Sequence, residues 1–206
     1  MYDICYVNAF QTQPAERVGW ETHHPGLVLK DSTGGFLHDP DWPGEDVLDT
    51  STAANRAAIA AIEDPWLAGC AKAGFQAIEP DNLDSYTRTG AEKLTKADNV
   101  ALAALLAAHA HSKGLAFAQK NDTDITAKDR AEVGFDFAIA EECGFYNECA
   151  AYTDLYGRHV IEIEYTDTGR SAYTKACAAR GATLSIIYRD RDVLAKGQSG
   201  YHYEYC

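Results

Sequence analysis

Short apolar segments rich in β-branched and aromatic residues alternate with longer alanine-rich stretches from Gly74 onward. This alternation of strand formers and helix formers predicts parallel βα units. The predicted strands are 4–7, 75–79, 115–120, 137–141, 160–165 and 184–188, and the predicted helices are 52–73, 96–113, 126–133, 148–156 and 170–180. Gly74, Gly114 and Gly181 stand just past three of these helices, where a left-handed C-cap is expected, and Thr52 and Thr95 stand at N-cap positions. Residues 10–51 lack this rhythm and are punctuated by Pro14, Pro25, Gly34, Gly35, Pro40, Pro43 and Gly44, so they read as a long loop enclosing a short strand at 47–49. Loops of this length in compact domains are usually functional or disordered, and Trp20 and Trp42 make the wall of a binding cleft the expected role.

The 206 residues, 46% of them hydrophobic, suffice for a sizeable core and are expected to form a single domain spanning 1–206. Lys and Arg number 18 against 31 Asp and Glu, a formal net charge of -13. No basic surplus exists to neutralise phosphates, so nucleic acid is not an expected partner. No apolar run approaches the ~18 to 20 residues that span a bilayer, so no membrane insertion is expected. The first residues read as a strand, with no signal peptide visible. The six cysteines are consistent with up to three disulfides, and Cys143 and Cys149 are close enough to close a small loop.

Polar and acidic residues gather where the later predicted strands end. Glu79, Asp81 and Asp84 follow the first of them, Lys120, Asn121 and Asp122 the next, then Glu141 and Glu142, then Glu162 and Glu164, and finally Asp190 and Asp192. Strand ends are commonly exposed, and an acidic protein carries acids on any surface; five such ends together match the face on which barrel enzymes build their sites. Paired carboxylates are the apparatus of glycosidases, one as acid and one as nucleophile or base. Oxygen-rich clusters also suit Ca²⁺ or Mg²⁺, but no EF-hand spacing is present. Without Gly-x-Gly-x-x-Gly, P-loop or Gly-x-Ser-x-Gly, neither a nucleotide cofactor nor serine-hydrolase chemistry is expected, and no cofactor or metal is called for.

The segment Gly74-Phe-Gln-Ala-Ile-Glu-Pro-Asp-Asn-Leu-Asp-Ser-Tyr86 resembles the endo-α-1,4-polygalactosaminidases, glycoside hydrolase family 114. Further similarity follows in order at Ile4-Cys-Tyr6, Lys120-Asn-Asp122, Phe137-Ala-Ile-Ala-Glu-Glu-Cys143 with Glu148-Cys149, Glu164-Tyr-Thr166, and Asp190 with Asp192. The resemblance implies an α/β fold of the (β/α)8 TIM-barrel type, lacking the family's first two strands, and hydrolysis within chains of α-1,4-linked, partly deacetylated galactosamine. It implies Asp81 and Glu141 as the catalytic pair, with the choice of acid left open. It also implies a secreted or extracellular location. The substrate would be a cationic polysaccharide, which an acidic cleft concentrates, and the protein is expected to act as a monomer.

Substrate contacts are expected from Tyr6, Asp84, Lys120, Asn121, Asp122, Glu142, Glu164, Tyr165, Asp190 and Asp192. Asp84 could equally cap the following turn, and Lys120 could pair with the carboxylates or donate to sugar. Tyr6 and Tyr165 could stack on sugar rings or pack in the core. Glu79 is expected to point away from Asp81. Two other readings use the same residues: a carbohydrate-binding barrel or fragment without turnover, and a metal-dependent hydrolase.

Overall fold

The computed structural model describes residues 2–89 and 93–206, in two compact units. The first spans residues 1–122 and 128–135, the second 123–127 and 136–206.

In the first unit β1 (Ile4–Asn8), β2 (Ala77–Asp81) and β3 (Ala116–Lys120) lie parallel in that order. Ile4 aligns with Ala77 and Asn8 with Asp81, while Ala77 aligns with Ala116. Side chains alternate faces along a strand, so Tyr6, Asn8, Glu79, Asp81 and Lys120 share one face. Between β1 and β2 come α1 (Arg17–His23) and α2 (Ala53–Ala73), and α3 (Lys96–Ser112) precedes β3. Thr52 caps α2 by accepting from the Asn55 amide, and Thr95 forms a reciprocal capping box with Asp98 on α3. Gly74 and Gly114 take the expected left-handed conformation, at φ 90° and 75°. The Cys5–Cys70 disulfide ties β1 to α2, and α4 (Ala127–Val133) completes the elements of this unit.

The segment 10–51 departs from an open cleft wall. Isolated antiparallel bridges pair Gln11 with Val47, Val28 with Leu48, Lys30 with Phe36 and His38 with Asp46, and Phe10, Val47 and Leu48 are fully buried. Trp20 sits on α1 and is buried edge-on against Trp66 of α2. It belongs to the core rather than to a cleft, whereas Trp42 is 56% exposed.

In the second unit β4 (Phe137–Glu141), β5 (Val160–Tyr165) and β6 (Ser185–Arg189) are parallel, and β7 (Tyr203–Tyr205) pairs antiparallel with β6. The short α5 (Cys143–Tyr146) and α6 (Ala150–Tyr156) connect β4 to β5, and α7 (Arg170–Arg180) connects β5 to β6. Disulfides Cys143–Cys149 and Cys177–Cys206 pair the remaining cysteines. Gly181 is not the left-handed cap expected: its φ is -59°. A Cβ there would meet the Cys177 carbonyl oxygen at 2.7 Å and Cys206 Sγ at 3.1 Å, so closeness to the disulfide, not backbone handedness, calls for glycine. The fold is α/β of the TIM-barrel type, with seven strands among the described residues where a closed barrel of this class has eight.

Candidate active site

In the first unit the carboxylate of Asp81, the last residue of β2, is surrounded by donors. Tyr6 Oη donates to Oδ2 at 2.9 Å, the Asn82 amide to Oδ1 at 2.9 Å, and Lys120 Nζ lies 3.3 Å from Oδ1. Lys120 is only 2% exposed, and its ammonium also donates to Glu79 Oε1 at 2.7 Å. A buried ammonium needs such pairing. Glu79 therefore does not point away from Asp81: the two are two residues apart on one strand, share a face and share Lys120. Tyr6 is 47% exposed rather than packed in the core, while desolvation of its hydroxyl beside the Asp81 carboxylate and their hydrogen bond push the phenol well above its ordinary range and keep it a donor.

Asn82, in the left-handed region at φ 65°, links this strand end to the chain beyond it. Its Nδ2 donates to Asn8 Oδ1 at 2.8 Å, and its Oδ1 accepts from Arg88 Nη1 at 3.1 Å. Asp84 does not cap the following 3-10 turn (Ser85–Arg88) with its side chain and instead pairs with Arg88 at 3.1 Å. Desolvation raises the Asp84 carboxyl's pKa, with Arg88 opposing the rise. Asn121 and Asp122 form a left-handed pair at φ 52° and 65° after β3. Gln119 Nε2 donates to both of their carbonyls at 2.9 Å, and Tyr86 Oη donates to the buried Asp122 carboxylate at 3.1 Å. Both residues thus shape the turn after Lys120.

In the second unit Glu141 ends β4 and accepts a hydrogen bond from Tyr165 Oη. The β4–β5 register aligns Glu141 with Ile163, so Tyr165, two residues on, shares its face. Tyr165 is buried and is not a free stacking platform. The Arg191 guanidinium lies 4.4 Å over its ring and donates to Glu142 at 2.8 Å and to Asp167 at 2.6 Å. Glu142 is thereby fixed in the left-handed region at φ 56°, its carboxylate held by a cation.

Glu162 and Glu164 occupy the opposite face of β5 and are both fully buried, which removes Glu164 from direct substrate contact. Arg180 chelates Glu162 at 2.7 and 2.9 Å. Glu164 Oε1 accepts the Gly144 amide at 2.8 Å, and its Oε2 has no hydrogen-bond partner. Desolvation, reinforced by the charges of Glu162 and Glu142, pushes the Glu164 carboxyl up to about 7 against the pull of backbone donors. Asp190 is likewise structural: its carboxylate accepts the Leu194 amide at 2.7 Å and the His202 amide at 3.0 Å, fastening the loop between β6 and β7. Asp192 is exposed in that loop. Arg191, Arg88 and Asn82 organise these clusters without having been predicted to do so; the Asp-Asn step of the Glu-Pro-Asp-Asn motif was the available signal for Asn82.

Donor atoms of Cys143, Cys149 and Glu162 lie within 4.8 Å of one another, but the two sulfurs form a disulfide and offer no thiolate to a metal.

Parallel βα units that end in carboxylates held by tyrosine, lysine and arginine are the framework of a barrel-type glycosidase. The chain belongs to glycoside-hydrolase family GH114, whose family model matches residues 1–206. Its fold is similar to that of Aspergillus fumigatus Ega3 in a crystal structure with galactosamine, at TM-score 0.72 and 26% identity, over 100% of this chain and 78% of that one. It is also similar in fold to the glycoside hydrolase domain of PelA from Pseudomonas aeruginosa, at TM-score 0.61 and 14% identity, over 96% and 81% of the two chains. No curated protein matches. Among the described residues no helix is long and apolar enough to cross a membrane.

Proposed function

We propose that this glycoside hydrolase cleaves within chains of α-1,4-linked galactosamine, with Asp81 and Glu141 as its two catalytic carboxylates. The observation that carries the reading is the donor cradle of Asp81: an ammonium, a phenol and a backbone amide converge on one carboxylate. Such a cradle suits the group that works as an anion, as nucleophile or base, with Glu141 as its partner for proton transfer. The choice of sugar is supported by the galactosamine complex of Ega3 and by the net charge of -13, which attracts a polycation. Lys120 and Tyr6 hold Asp81 in place, and no cofactor takes part. The three disulfides suit an oxidising, extracellular setting.

The test is reducing-end release from partly deacetylated α-1,4-polygalactosamine, with its fully acetylated form and an unrelated neutral polysaccharide in parallel. Release of short oligomers from the first substrate is the expected result. Cleavage of the neutral polymer alone would overturn the choice of sugar, and binding without cleavage of any polymer would favour a carbohydrate-binding barrel. Activity that survives a strong chelator is expected; its loss would favour the metal-dependent reading.

A further inference from the structure

Trp42 is a large aromatic side chain left 56% exposed on a turn held by a buried carboxylate. Asp39 is fully buried, and its Oδ1 accepts the Asp41 amide at 2.8 Å and the Trp42 amide at 3.0 Å. Its Oδ2 is held by Gln11 Nε2 at 2.7 Å and by Arg88 Nε at 3.2 Å. The Trp42 carbonyl accepts the Glu45 amide at 2.8 Å, closing the turn.

Two polar threads connect this turn to the strand end that carries Asp81. One runs from Asn82 through Arg88 to Asp39. The other runs from Asn82 to Asn8, whose Nδ2 donates to Glu45 Oε2 at 2.8 Å. Both threads begin at Asn82, whose own amide is bonded to Asp81. Glu45 is near enough to Asp81 for their charges to act on one another; desolvation, assisted by Asp81 and Asp39, raises the Glu45 carboxyl above its ordinary range.

An exposed indole is useful to a sugar because a pyranose presents a C–H face that packs on an aromatic ring, and an ammonium gains further attraction from the ring quadrupole. A carboxylate on the same turn, as Glu45 supplies three residues on, accepts from a sugar hydroxyl or ammonium. We propose that Trp42 and Glu45, tied to the Asp81 strand end through Asn82, form a subsite that binds one amino-sugar unit of the chain being cleaved. The indole packs on the ring and the Glu45 carboxylate accepts from the free amine. Asn82 is the positioning residue that keeps subsite and catalytic carboxylate in fixed relation. This proposal rests on the galactosamine reading above.

The experiment uses the full chain and defined galactosamine oligomers. Steady-state kinetics are measured on the parent, Trp42→Ala, Trp42→Phe and Glu45→Gln. Oligomer affinity is measured by calorimetry with Trp42→Ala and Glu45→Gln placed in an Asp81→Asn background, and circular dichroism melts establish that each variant is folded. Trp42→Ala is expected to weaken affinity and raise KM by about tenfold while kcat changes less than about twofold, and Trp42→Phe to recover most of the loss. Glu45→Gln is expected to weaken binding of deacetylated oligomers and spare acetylated ones. If the parent cleaves or binds galactosamine oligomers and Trp42→Ala leaves KM and affinity unchanged, the subsite is overturned while the galactosamine reading stands. If the folded parent neither cleaves nor binds them, both fall together. A Trp42→Ala variant that loses kcat with KM unchanged would also contradict a binding role.

Discussion

Lys120 shows how much a single buried side chain carries. Its ammonium is shared by Glu79 and Asp81 on one face of β2, so Lys120→Met removes the cation that these two carboxylates share. This substitution is expected to cost about 2–3 kcal/mol in urea unfolding and to reduce activity at least tenfold. Glu164 supplies a pH dependence. Burial raises its carboxyl from 4.5 to about 7, so the folded state holds a proton that the unfolded chain releases. Its contribution to stability is complete below about pH 4.5, falls as pH rises, and is gone above about pH 7, a loss of about 3 kcal/mol at most. Melting curves should show Glu164→Gln with a flatter decline than the parent across that window; parallel declines would remove Glu164 as the cause. At this scale the strand-end positions of Asp81, Glu141 and Lys120 were legible. Glu79 was misjudged because residues two apart on a strand share a face. The same period separates Glu164 from Tyr165, so these neighbours serve different sides of β5.

The βα alternation was legible because apolar runs alternate with helix-forming stretches that end at a glycine, most clearly at α2 and α3, where Thr52 and Thr95 cap alanine-rich helices. α5 and β7 were not, since they are 4 and 3 residues long, too short to show a period, and the 7-residue α1 was hidden in the proline- and glycine-punctuated segment 10–51. β2 runs two residues further than expected, to Asp81, so the carboxylate ends the strand rather than following it. Glycines within helices also differ in what they do. A Cβ at Gly144 in α5 would meet Glu162 Oε1 and Glu164 Oε1, each at 2.8 Å, whereas one at Gly69 within α2 would meet nothing within 4 Å. Gly144→Ala is expected to lower stability by about 1–3 kcal/mol and to disturb the turn after Glu141. Gly69→Ala is expected to raise stability by about 0.5–1 kcal/mol. Paired denaturant titrations check both signs.

For the whole molecule, composition argued against nucleic acid, while the cationic polysaccharide came from the family resemblance. A net charge of -13 favours a cationic polymer over nucleic acid, and screening weakens that attraction. The kcat/KM on partly deacetylated polygalactosamine should therefore fall several-fold between about 10 and 300 mM salt, while any turnover of acetylated polymer changes little. The family relation covers the full chain, and the similarity to Ega3 is one of fold at 26% identity; neither specifies which carboxylates act. The most direct measurement is reducing-end release from partly deacetylated polygalactosamine by the parent and its Asp81→Asn variant, matched in concentration and folded state. A loss of at least about 10²-fold in kcat, with oligomer affinity retained, is the predicted result. Equal rates in parent and variant would contradict the assignment of Asp81.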